Sequence, residues 1–113
     1  MNTQNTMTIA GYPAVITFDP EIQMFRGEFL GLNGGADFYG RDVEGLQKEG
    51  GISLAIFLEA CAEDGVEPRK QFSGNVSLLV DPAVHEAAAI AAAADGKSLN
   101  QWVEEVLRQA AVA

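Results

Sequence analysis

A single short strand opens the last 42 residues, and two helices follow it with no second strand for it to pair with. The run Gly74-Asn75-Val76-Ser77-Leu78-Leu79-Val80 predicts that strand, with Val76, Leu78 and Val80 on one face and Asn75, Ser77 and Leu79 on the other. Asp81-Pro82 then starts a helix, the acid as N-cap and the proline at the first helical position. The alanine-rich stretch to Ala94 has the best helix propensity in the chain, and Gly96 is its stop. Ser98-Leu99-Asn100-Gln101 matches a capping box, and Leu99, Trp102, Val103, Val106 and Leu107 form an apolar stripe on a last helix.

About 40 residues is close to the lower limit for a self-sufficient core, below which a staple or a partner is needed. Cys61 is the only cysteine, so no internal disulfide and no cysteine-based zinc site can supply the staple. The strand's unpaired amides and carbonyls also need partners. A twofold dimer in which the strand pairs with its own copy satisfies both demands, and that is a ribbon-helix-helix arrangement. Val76, Leu78 and Val80 would line its core, with Trp102 and Val106 packed beneath.

The first 71 residues read differently. Tyr12-Pro13-Ala14-Val15-Ile16-Thr17-Phe18 is rich in β-branched and aromatic residues and runs into the turn residues Asp19-Pro20-Glu21. Met24 to Leu30 alternates, with Phe25 and Phe29 opposite Arg26 and Glu28. After the turn Asn33-Gly34-Gly35, residues Ala36 to Arg41 form a third strand, which predicts a three-stranded antiparallel meander. Beyond Asp42 as N-cap, Val43, Leu46, Leu54, Phe57, Leu58 and Cys61 mark a helix covering one sheet face. Gly50-Gly51 predicts a kink or split in it, Gly65 a stop, and Val66 to Gln71 a linker. The expected architecture is α+β, with boundaries at 1–71 and 72–113.

Charge narrows the partners. The net charge is −9, with eleven acids and five bases in the first 71 residues and five acids and two bases in the rest. Contact with polyanions is disfavoured unless bases and backbone amides concentrate locally, and a basic protein is the easier partner. No apolar run approaches the roughly 20 residues that cross a bilayer, and the first residues lack a basic region and an apolar stretch, so a cytoplasmic chain without membrane contact is expected. His85 has no neighbour suggesting a nucleophile or ligand set and reads as a surface histidine. Cys61 lies among apolar helix neighbours and reads as a small buried hydrophobe. Asp19, Glu21, Glu28, Asp37 and Asp42 are the one carboxylate set that could converge on Mg²⁺ in a nuclease, but most sit at turns or strand ends. No enzyme activity, metal or cofactor is expected.

Three motifs in order give a resemblance: Tyr39-Gly40-Arg41-Asp42 leading into a helix, Phe72-Ser73-Gly74 opening the lone strand, and Ser98-Leu99-Asn100-Gln101-Trp102-Val103 opening the last helix. Over roughly residues 12 to 110 the chain resembles HicB-type antitoxins with a carboxy-terminal ribbon-helix-helix. The resemblance implies an amino-terminal domain like a truncated ribonuclease H-type sheet that inhibits a small basic HicA-like RNA-cleaving toxin. It also implies a carboxy-terminal dimer, or a tetramer of paired dimers, that binds the operator DNA of its own operon. On this chain the DNA face would be Asn75, Ser77 and Leu79, where relatives usually carry a base, supported by Lys97, Ser98 and Asn100 at the last helix. A solitary ribbon-helix-helix regulator without a toxin fits the same residues.

Overall fold

Thr6-Met7-Thr8-Ile9 alternates polar and apolar residues, and it forms a strand outside the expected three, β1 (Thr6–Ile9). It is followed by β2 (Tyr12–Asp19), β3 (Met24–Phe29) and β4 (Asp37–Gly40) in one antiparallel sheet of order β1-β2-β3-β4. The computed structural model describes residues 5–112 and confirms the α+β class. The three-stranded meander is corrected to four strands because Ala10-Gly11 closes a two-residue hairpin between Ile9 and its partner Tyr12. Ala10 and Gly11 have φ of 50° and 83°, the positive pair that a tight hairpin turn requires.

Among the described residues the chain forms two units, one ending at Ser73 and the other beginning at Gly74. In the first, register places side chains of one sign of the pleat together. Met7 pairs with Ala14, Ala14 with Phe29, Phe18 with Phe25, and Gly27 with Phe38, so these residues share the inner face. Ala14, Phe29, Leu32, Phe38, Leu46 and Leu54 form its buried cluster, flanked by Met7, Ile9, Tyr12, Ile16, Phe25, Ala36, Phe57 and Leu58.

Helix α1 (Val43–Asp64) lies over that face and runs unbroken through Gly50-Gly51, so the expected kink is absent. Packing explains Gly50: a Cβ there would sit 2.3 Å from Ile9 Cδ1 and 3.1 Å from the Phe38 ring, whereas one on Gly51 would meet nothing. Gly50 is a close-approach residue inside a continuous helix, and the propensity it gives up is offset by burial against the sheet. Gly40 works the same way at the helix entry, where a Cβ would lie 2.7 Å from the Leu46 nitrogen. Asp42 caps α1 by accepting the Gly45 N–H at 2.7 Å, and Gly65 closes it in the left-handed conformation.

Residues 66–71 are not a free linker. The Lys70 N–H donates to the Gly31 carbonyl at 2.8 Å, and the Asn33 N–H to the Pro68 carbonyl at 2.9 Å. The Asn33 side-chain amide donates to the Glu67 carbonyl, and the Arg69 guanidinium donates to the Gly11 carbonyl while lying 3.9 Å from the centre of the Tyr12 ring. Val66 to Lys70 thus ties the β3–β4 loop and the β1–β2 turn to the end of α1, using backbone groups that polarity alone does not reveal.

The second unit holds α2 (Pro82–Ala94) and α3 (Leu99–Val112). Asp81 accepts the Ala83 N–H at 2.9 Å with Pro82 at the helix start, as the sequence predicts. Gly96, at φ 66°, ends the turn after α2. Residues 74–80 form no helix and, among the described residues, no strand ladder. The strand expected at Gly74–Val80 is therefore not realised in the isolated chain.

Candidate functional site

The segment 74–80 and α3 bring four of the expected site residues, Asn75, Val76, Leu78 and Asn100, into one place. Gly74, Asn75, Val76 and Leu78 line a groove of about 400 Å³ with Asn100, Val103, Glu104 and Leu107. Asn75 and Asn100, both expected at a nucleic-acid face, meet there because the segment lies beside the first turns of α3. Val76, Leu78 and Val80 remain well exposed, and Leu79 is fully so. An apolar segment in that state has not buried its side chains.

In the single chain other positions of α3 lie beside those valines and leucine than the ones expected beneath them in a dimer. Val103 and Leu107, four residues apart on α3, line the groove with Val76 and Leu78. Trp102 and Val106 lie one step around the helix, beside Asp95, Lys97, Glu105 and Gln109, with Trp102 half-buried. Successive helix positions differ by about 100°, so Trp102 and Val103 point in different directions from α3. The apolar stripe read from the sequence thus spans two grooves of the single chain, with Val103 and Leu107 on one and Trp102 and Val106 on the other.

Ser98 is a cap in both directions. The Gln101 N–H donates to Ser98 Oγ at 3.1 Å, and the Ser98 N–H donates to Gln101 Oε1 at 3.0 Å. The capping box uses these two amides internally, so an anion at this terminus would be met by the amides of Leu99 and Asn100, the first two helical positions. Ser77 and Leu79 lie in the exposed segment and outside the groove.

Lys97 is half-buried and ion-paired to Glu105 one and a half turns into α3. Its hydrogen bond to Glu105 holds the lysine above its ordinary value, and the same bond holds the glutamate below its own. Any phosphate contact by Lys97 must compete with that carboxylate. Arg108, the other base in this unit, pairs with Glu104 at 2.9 Å.

In the first unit the carboxylates weighed for a metal are dispersed. Asp42 caps α1, and Asp19 accepts the Glu21 N–H at 3.0 Å. On the outer sheet face Arg26 bridges Glu28 and Asp37, both at 3.1 Å, and Asp37 chiefly raises its pKa. Among the described residues no group of three or more His, Cys, Asp and Glu side chains is placed to hold a metal ion. No helix there is long and apolar enough to cross a membrane.

Comparison with curated proteins and with solved structures gives no significant match. The model of the HicB family matches residues 57–107, which take in the last part of α1, the segment 74–80, α2 and most of α3. Over those residues the chain is similar to the HicB family.

Proposed function

We propose that the chain is an antitoxin that binds and inhibits a small basic RNA-cleaving toxin through its first unit and, as a ribbon-helix-helix dimer of its second unit, represses its own operon. The observation that carries the dimer is the segment 74–80, whose Val76, Leu78 and Val80 are exposed in the single chain. Pairing with a second copy would complete the ladder and cover these side chains, at roughly 25 cal/mol per Å² of apolar surface removed from water. The HicB match supports the antitoxin role.

In such a dimer two copies of Asn75 and Ser77 would enter one major groove, which demands a palindromic or near-palindromic operator. Asparagine can make two hydrogen bonds to adenine, and each good base contact is worth about 1–3 kcal/mol. The five acids and two bases of residues 72–113 leave little counterion-release energy, so binding should fall steeply with salt unless a basic toxin adds positive charge.

The test is light scattering on the chain alone, then an anisotropy titration against its own promoter with and without the product of the adjacent reading frame. A dimeric mass and a preference for promoter over random duplex, with Asn75→Ala relaxing that preference, are expected. A monomeric mass at micromolar concentration would refute the dimer. Absence of promoter preference in both titrations would remove the repressor role.

A further inference from the structure

The outward face of α1 carries a stripe that neither the core nor the proposed dimer uses. Glu49, Ile52, Ile56, Glu59 and Glu63 follow one another at intervals of three and four, so they share one side of the helix. All five are exposed, Ile52 at 48% and Ile56 at 65%. Ile56 also borders a groove of about 350 Å³ that continues onto Gly35, Ala36 and Asp37 beside the edge strand β4.

The acids on this face cost the isolated helix stability. Glu59 and Glu63 repel each other at i,i+4, and Glu63 and Asp64 sit in the last turn, where the helix dipole is negative and no base is present. A cationic partner reverses the sign of both effects. A second copy of the same face would set carboxylate against carboxylate, and nucleic acid and anionic lipid are repelled in the same way.

We propose that this α1 stripe is the docking surface for a basic protein. The partner would place an apolar side chain against Ile52 and Ile56 and surround it with lysines or arginines facing Glu49, Glu59 and Glu63. This rests on the toxin-binding reading above and assigns it to particular residues. The apolar centre with a charged rim follows the usual anatomy of protein interfaces.

The experiment uses the full chain and, as probe, the purified product of the adjacent reading frame. Ile56→Arg adds like charge to the basic partner at an exposed position, so folding should be retained while affinity falls at least tenfold. Glu59→Lys and Glu44→Lys change the net charge equally, but Glu44 lies off the stripe, so Glu59→Lys should slow association more. Wild-type affinity in the Ile56→Arg protein would overturn the surface and leave the toxin-binding reading standing. A change of oligomeric mass in that variant would also overturn it, by making the face a contact between copies. No binding by the wild-type chain would overturn both.

Discussion

The first unit buries a contiguous cluster of six residues under one long helix, whereas Ala92 is the only buried residue among the described positions of the second. The two units have ordinary helix caps and turns, so local structure is not where they differ. They differ in what apolar surface has to pack against. α1 supplies the sheet with a cover inside one chain, while Val76, Leu78 and Val80 stay exposed, the first two lining a groove. A fully buried aliphatic side chain contributes about 1.5–3 kcal/mol, so a unit that buries one alanine lacks the main term of folding stability until something covers it.

Trp102 is the only tryptophan and lies in the second unit, while both tyrosines, Tyr12 and Tyr39, lie in the first. The two units can therefore be watched separately in the intact chain. If the second unit is completed by a copy, its tryptophan-detected unfolding should gain about 1.4 kcal/mol per tenfold rise in protein concentration, while the tyrosine near-ultraviolet signal stays fixed. Leu78→Asp should give the largest effect. Leu78 is 59% exposed in the single chain, so the charge costs little there, but in the paired dimer it would be buried without a partner at about 3–5 kcal/mol. Concentration-independent unfolding by both probes would erase the contrast between the units.

The first unit can be broken at its closest helix approach without touching the second. A Cβ at Gly40 would meet backbone, the Leu46 nitrogen at 2.7 Å and the Gly45 carbonyl carbon at 2.9 Å, and backbone cannot swing aside. Gly40→Ala should lower the tyrosine-detected transition by about 1–3 kcal/mol and leave the tryptophan transition in place.

A smaller effect of opposite sign sharpens the account of α1. Gly51→Ala meets nothing within 4 Å and should stabilise the first unit by about 1 kcal/mol. Gly50→Ala should gain less or lose, because the same propensity gain is opposed by Ile9 at 2.3 Å and the Phe38 ring at 3.1 Å. Equal gains from the two variants in thermal unfolding would remove the packing role given to Gly50.

These glycines show what a sequence can and cannot reveal. Caps and periodic stripes were legible because their causes are local: Asp42, Asp81, Gly65 and the Ser98–Gln101 box all act where they were read. Gly50-Gly51 misled because propensity is local and the reason for Gly50 comes from Ile9 and Phe38, far away in sequence. β1 went unread although Thr6 to Ile9 alternates, since Ala10-Gly11 lacks the asparagine or aspartate that advertises a tight hairpin. The segment from Val66 to Lys70 looked like a linker because its ties run through backbone carbonyls at Gly11, Gly31 and Pro68. In the candidate site, the apolar stripe of α3 was visible, but which of its adjacent positions faces residues 74–80 depends on helix phase relative to a segment without its own periodic partner.

The smallest predicted effect concerns the ion pair that ties Lys97 to α3. Glu105 has its pKa lowered on folding, so its contribution is present above the ordinary carboxylate range and is lost as pH falls through the folded value. Lys97 has its value raised, so its contribution is complete below the ordinary lysine value and is lost as pH rises through the folded one. Between these limits the pair should make stability of the second unit flat with pH, and Glu105→Gln should soften the acid-side loss in the tryptophan-detected transition. Because both side chains of the pair remain partly open to solvent, the change should be slight. Its sharper consequence is on DNA. If Lys97 reaches a phosphate in the proposed complex, Glu105→Gln releases it and should strengthen binding to promoter and random duplex alike, whereas Lys97→Ala should weaken both and reduce the salt slope by about one. Equal anisotropy titrations for Glu105→Gln and the wild type across a salt series would show that Lys97 stays with its carboxylate partner and takes no part in holding DNA.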